Sequence, residues 1–399
     1  MRKYFEKIAP LFHKGGKYEK FFPIFEMVET FLYDPLIRTD GKTHIRDGLD
    51  LKRTMIIVFF AILPTAIFGI YNVGYQANIV LQQSGLHLIG FRNEIVQFFG
   101  INHDPSSIFS NFFVGSLYFI PLYLITLIVG GFWEVLFAVV RKHEIAEAFL
   151  VTSLLYPLIL PPTVPLWQAA LALSVGLVFG KEVFGGTGRN FVNPALFSRA
   201  ILFFSYPQSV TGNTMWVAVD GYSKATPLAA FSSKGFDFGY TFVDGLLGFI
   251  PGSIGETSAI LCLIGAIFLI ITGIGSWKLM AGMAIGMGLT TLIFNLIGSE
   301  TNHMFNMPFY YHFVFGGFAF GMAFMITDPV SASMTEQGKW LYGFLVGFLN
   351  ALVRVINPAF PEGTMLAILF GNIFAPFIDS IFIKRYIKNR ALKYERDKA

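Results

Sequence analysis

Run after run of apolar residues passes with hardly a charge, and this limits the fold more than any motif. The apolar windows are 54–73, 114–140, 146–161, 166–181, 194–206, 257–274, 279–298, 308–327, 340–356 and 363–383. About 20 apolar residues cross a bilayer as a helix. Inside hydrocarbon every backbone polar group needs an internal partner, so only helices and closed barrels can span it. These windows are too long and too continuous for barrel strands. Charged residues make up 14% of the 399, against about 25% in a typical soluble domain. An all-α integral membrane protein of about ten transmembrane helices is expected.

Charge placement sets the topology. Of the 29 Lys and Arg, eleven fall in residues 1–53 and seven in 384–399. Basic flanks stay on the cytoplasmic side, so both termini are expected inside and the number of spans is expected to be even. Loops 141–144 and 181–190 then lie inside, and 160–165 and 207–256 lie outside. Met1 opens some fifty polar residues, so no cleavable leader is expected. "VNPAL" at 192–196 and "INPAF" at 356–360 each precede the last window of a group of five. One would lie inside and the other outside, as in two inverted five-helix repeats. The expected layout is a cytoplasmic segment (1–53), a first repeat (54–206), an outer loop (207–256), a second repeat (257–383) and a basic cytoplasmic tail (384–399). The fifth window is short, so its helix is expected to be tilted, broken or re-entrant.

One cysteine, Cys262, forms no internal disulfide and no self-contained cluster site. The seven His have no metal-ligand spacing, so no metal centre is expected, and nothing points to a nucleic-acid partner. Four stretches carry candidate chemistry. "KEVFGGTGRNFVNPALFSRA" at 181–200 offers glycines for close backbone approach and two amides, Asn190 and Asn193; without GK[ST] it is not a phosphate-binding Walker loop. The acids Glu134, Glu147, Glu182, Asp328 and Asp379 lie in or at the windows, where a carboxylate usually pairs or lines an ion path. Gly130 and Gly131 in "VGGFWEVLF" leave room for a neighbouring helix or a flat ring. "DGYSKATPLA" at 220–229 is a polar turn, with Thr226 placed to cap a helix that Pro227 starts.

These stretches, together with "HIRDGLDLKRTMIIVFF", "GFIPGSIGETS" and "MAFMITDPVSAS", resemble the B subunit of the sodium-translocating NADH:quinone reductase family. They occur in the same order over nearly the whole chain. The D subunit of the Rnf complex shares the core and the flavin motif, but would not be expected to carry the long charged N-terminal segment. The resemblance implies a fold similar to urea transporters. It implies FMN joined by a phosphoester to Thr226 within a motif of the form D-G-x-S-G-A-T, here Asp220 to Thr226 with Ser223 retained and Lys224 in place of Gly. A separate flavin transferase would attach it on the outer face. It implies a noncovalent riboflavin at Asn190, Asn193 and Asp328, quinone near Gly130 and Gly131, and sodium handling by Glu134 and Asp379. Partners would be the A, C, D, E and F subunits in the bacterial inner membrane, with NADH oxidised on another subunit and no catalytic side chain on this one. The competing expectation, from architecture alone, is a small-solute permease.

Overall fold

The computed structural model describes residues 8–12, 16–18, 22, 25, 51–141, 148–357 and 362–396. Most of the expected cytoplasmic segment 1–53, Glu147 and most of "INPAF" lie outside the described residues. Within them the chain is helical, with one isolated antiparallel bridge, Leu88 to Val219. The main helices are α1 (Leu51–Ser84), α2 (Ile108–Arg141), α3 (Ala148–Leu158), α4 (Leu166–Leu177), α5 (Pro194–Ser205), α6 (Pro227–Lys234), α7 (Ala259–Ile271), α8 (Trp277–Ile297), α9 (Glu336–Ile356) and α10 (Thr364–Arg396).

Five of them, α1, α2, α8, α9 and α10, are long and apolar enough to cross a membrane. The remaining windows are helical but short or interrupted. The 308–327 window is not one helix. It runs as Phe309–Val314, a break, Phe318–Phe320 and a π-helical turn at Gly321–Met325. The break falls at Gly316, whose φ of 70° puts it in the left-handed region. The 194–206 window is the unbroken 12-residue α5, about 18 Å long at 1.5 Å per residue.

Close approach of backbones locks the long helices. A Cβ on Gly115 of α2 would lie 1.8 Å from the Ile70 carbonyl oxygen of α1, and one on Gly347 of α9 would lie 2.1 Å from that of Met283 in α8. Only a residue without a side chain lets these pairs pack so tightly. Polar groups inside the core find each other, as when Asn78 Nδ2 donates to Asn111 Oδ1 at 2.8 Å.

The 207–256 segment is not a loose loop. Tyr118 Oη donates to the Ala218 carbonyl at 3.0 Å, Thr163 Oγ1 donates to the Met215 carbonyl at 3.0 Å, and the Asp220 N–H donates to the His87 carbonyl at 2.9 Å. Val217, Ala218 and Val219 are buried. The segment is a folded cap over the ends of α1, α2 and α4.

Candidate functional site

Two polar clusters stand out in an otherwise apolar core. The first surrounds the loop after α4. That helix ends in a π-helical turn, Val178–Glu182, an irregularity that often marks functional sites. The turn carries Lys181 and Glu182. Three glycines with positive φ (Gly185, Gly186 and Gly188) then bend the chain back to Asn193. Asn193 caps α5: its side-chain oxygen accepts from the N–H groups of Ala195 and Leu196, with Pro194 at the first helical position. Its amide Nδ2 donates to Asp328 Oδ2 at 3.2 Å, and that same oxygen accepts from Ser331 Oγ at 2.7 Å. The expected trio of Asn190, Asn193 and Asp328 therefore comes together, across 135 residues in the last pair.

These residues line a cleft that is open on one side. Met55, Leu155, Leu269 and Phe324 form its apolar walls; Lys181, Thr187, Asn190, Asn193 and Asp328 supply the polar ones. The buried Thr187 hydroxyl has no hydrogen-bond partner in the protein. An unsatisfied hydroxyl and amide groups between apolar walls suit a neutral ligand with hydrogen-bonding edges, as a flavin ring would present.

Beside the cleft, Lys181 Nζ donates to Glu134 Oε1 and lies 3.8 Å from Glu182. Arg141 reaches Glu182 at 3.7 Å. Glu134, Lys181 and Glu182 are all buried. Glu134 is thus held by a lysine ammonium. Gly130 lies one turn away on α2. A Cβ there would fall 2.3 Å from a ring carbon of Phe149, whereas one on Gly131 would be 3.9 Å from the same ring. The notch at Gly130 is filled by Phe149.

Asp379 has a separate set of partners. It accepts from Ser333 Oγ at 2.6 Å, the Met334 N–H at 2.8 Å, the Thr335 N–H at 3.0 Å and Thr335 Oγ1 at 2.6 Å. Thr335 caps α9. The carboxylate therefore organises the start of the neighbouring helix.

The second cluster lies under the cap. Thr226 is the N-cap of α6, accepting from the Ala229 N–H, and Pro227 follows it, as the Thr-Pro step predicts. Its burial is not what a modification site on an outer turn suggests: Thr226 is only 3% exposed. Its hydroxyl faces the Glu362 carboxylate. Arg199 of α5 sits 3.9 Å from Glu362 and donates to Glu256 at 3.1 Å. Arg354, fully buried, donates to the His312 carbonyl at 2.6 Å and to Thr364 Oγ1 at 3.0 Å. A small, mostly apolar cleft adjoins Arg199 and Glu362. A helix N-terminus favours a phosphate, but the Thr226 hydroxyl faces a carboxylate that Arg199 already pairs with, so a phosphoester at Thr226 would have to displace Glu362 to reach the guanidinium.

Around Thr226, Asp220 and Ser223 are exposed. Lys224 stretches over the Tyr240 ring, 5.6 Å from its centre, and burial holds its pKa below the ordinary lysine value. Its backbone N–H donates to the Asn213 carbonyl at 2.7 Å. The extra side chain is thus accommodated by packing on the cap.

A family model described as NQR2, RnfD, RnfE matches residues 38–388. The B subunit of a Na(+)-translocating NADH-quinone reductase from Chromohalobacter salexigens is 54% identical over 393 residues, covering 98% of this chain and 96% of the relative. Proteins of the same name from Ectopseudomonas mendocina and Stutzerimonas stutzeri are 52% and 53% identical, each covering 98% of both chains.

Proposed function

Because the chain belongs to the NQR2, RnfD, RnfE family, we propose that it is the B-type membrane subunit of a sodium-translocating NADH:quinone oxidoreductase. What carries this is identity above half over nearly the full length of relatives that all bear that name. Ten helices in two inverted five-helix halves, with a fold like urea transporters, belong to the same proposal. So do inner-membrane placement with both termini in the cytoplasm and assembly with the A, C, D, E and F subunits.

Two flavins would supply the electron-carrying chemistry when bound. Thr226 would carry FMN through its hydroxyl, put there by a flavin transferase acting on the outer face. The positive end of α6 and, with Glu362 displaced, the Arg199 guanidinium would hold the phosphate, while Asp220 and Ser223 present the turn. At the inner cleft Asn190, Asn193 and Thr187 would hydrogen-bond the edges of riboflavin, with Asp328 fixing the Asn193 amide. Gly130, Gly131 and the Phe149 ring would form one wall of a quinone site. Glu134 and Asp379 would serve the sodium path.

The experiment is to purify the complex that contains this chain and follow NADH-driven quinone reduction with and without sodium. Sodium-stimulated turnover is expected. A complex that instead exchanges electrons between ferredoxin and NAD would overturn the assignment in favour of an Rnf-type subunit. Mass spectrometry of the peptide containing Thr226 tests the attachment site, and Thr226→Ala should remove covalent flavin while leaving assembly intact.

A further inference from the structure

Lys181 belongs to two sites at once. Its ammonium bonds Glu134 and stands 3.8 Å from Glu182, yet the same side chain lines the inner cleft beside Thr187 and Asn190. It hangs from a π-helical turn on a flexible four-carbon stem, a compact charge that can change partner without moving its backbone. Among the described residues, Glu134, Glu182, Lys181 and Arg141 form a set with two positive and two negative formal charges. Away from water such a set tolerates an added charge poorly, because the energy of an uncompensated charge rises as the dielectric falls.

We propose that Lys181 is a tethered cation that occupies Glu134 while the cleft's ligand is neutral and turns to that ligand when it becomes anionic, leaving Glu134 and Glu182 to a sodium ion. The inference rests on the proposed function, which puts riboflavin in the cleft and Glu134 on the sodium path. The charges balance. If one electron delivered from NADH through the complex gave the ligand a negative charge, Lys181 would pair with it and one sodium ion would replace the ammonium at Glu134. On reoxidation by quinone the lysine would return to Glu134 and the ion would leave. Lys181 is on this account a positioning residue: it sets when the carboxylate is available and takes no part in electron transfer.

The test is a titration of the noncovalent flavin's midpoint potential against sodium concentration in the purified complex. One sodium bound per electron raises the potential by about 59 mV for each tenfold rise in sodium. Wild type should show this slope. Lys181→Gln should lose most of it, because Glu134 then binds sodium in both redox states. Lys181→Arg should keep it, shifted to higher sodium because a guanidinium grips a carboxylate more firmly. The double variant Lys181→Gln/Glu134→Gln removes both charges together, so it folds without a lone buried carboxylate, and should show no slope. A full slope in Lys181→Gln, or none in wild type, overturns the switch. Acid extraction of wild type separates this from failure of the parent proposal: absence of dissociable flavin sinks both, whereas flavin with an unaltered slope sinks the switch alone.

Discussion

On the proposed function, the buried Thr226 hydroxyl would make flavin attachment depend on lifting α6. That helix is held by Leu228 and Phe231, both fully buried, with the Phe231 ring 5.2 Å from those of Phe236 and Phe238. Each such side chain contributes about 1.5–3 kcal/mol when fully buried, and the Thr226 cap adds about 1 kcal/mol. Opening then costs about 5 kcal/mol. At 1.4 kcal/mol per factor of ten, roughly one molecule in a few thousand has α6 lifted. A transferase acting on the folded chain samples only that population. Phe231→Ala removes about 3 kcal/mol, the upper end of its burial contribution and the lower end of the cost of such truncations, so the open fraction should rise by about a hundredfold. The assay uses full-length protein from a host without the transferase, purified in detergent and given the transferase and its flavin donor. Covalent flavin fluorescence on a denaturing gel is followed in time. Phe231→Ala should label about a hundred times faster than wild type, and Thr226→Ala not at all. Equal rates for Phe231→Ala and wild type would refute burial as the barrier.

Other expectations follow from single contacts. Asp379→Ala strips four acceptor contacts from the turn before α9 and should cost about 3 kcal/mol, read as a lower unfolding temperature. Asp379→Asn should recover part of this, and an unchanged sodium dependence of turnover in that variant would remove Asp379 from the cation path. Glu256→Ala leaves Arg199 without its closest carboxylate and should cost about 3–5 kcal/mol; an unchanged melting temperature would contradict the buried pairing. Burial first, and His87 second, depress the pKa of His103 below its ordinary 6.5. The folded protein therefore binds this proton less readily than the unfolded chain, and stability at this site is complete above pH 6.5 and lost as the pH falls through the folded value. His103→Gln should flatten that part of a stability–pH profile; an unchanged acid limb would clear His103.

What the sequence disclosed depended on range. Hydropathy is a property of a window, so the membrane class was legible and so were the positions of the helical segments. Breaks inside a window were not: the 308–327 run reads as one span until Gly316 turns it. The Thr226 cap was legible because Thr-Pro is a local signal. Its burial was not, because Glu362 stands 136 residues away and Leu228 and Phe231 look like any apolar pair. Glu134 drew attention as a carboxylate in an apolar run. Its partner Lys181 lies 47 residues on, too far for a local pattern to pair the two. Arg199 and Arg354 were missed although a signal existed: a guanidinium in an apolar window is as much in need of a partner as a carboxylate.

The two clusters share one electrostatic design. Arg199 and Arg354 face Glu256 and Glu362 under the cap, and Lys181 and Arg141 face Glu134 and Glu182 at the inner cleft. Among the described residues, each set carries two formal charges of each sign. Neutrality makes such groups tolerable in a low-dielectric core, and it also makes them sensitive to one extra charge. On the proposed function a flavin sits against each set, so an electron arriving at either leaves it one cation short. The outer set meets this with fixed guanidiniums, both bonded in place and shielded by the cap, so compensation there must come from the aqueous face. The inner set has a lysine that can change partner and a carboxylate that a small cation can then take. Coupling between electron arrival and ion entry therefore belongs at the inner cleft, and substitutions in the Arg199 cluster should change stability and flavin attachment while leaving the sodium dependence of the noncovalent flavin's potential intact.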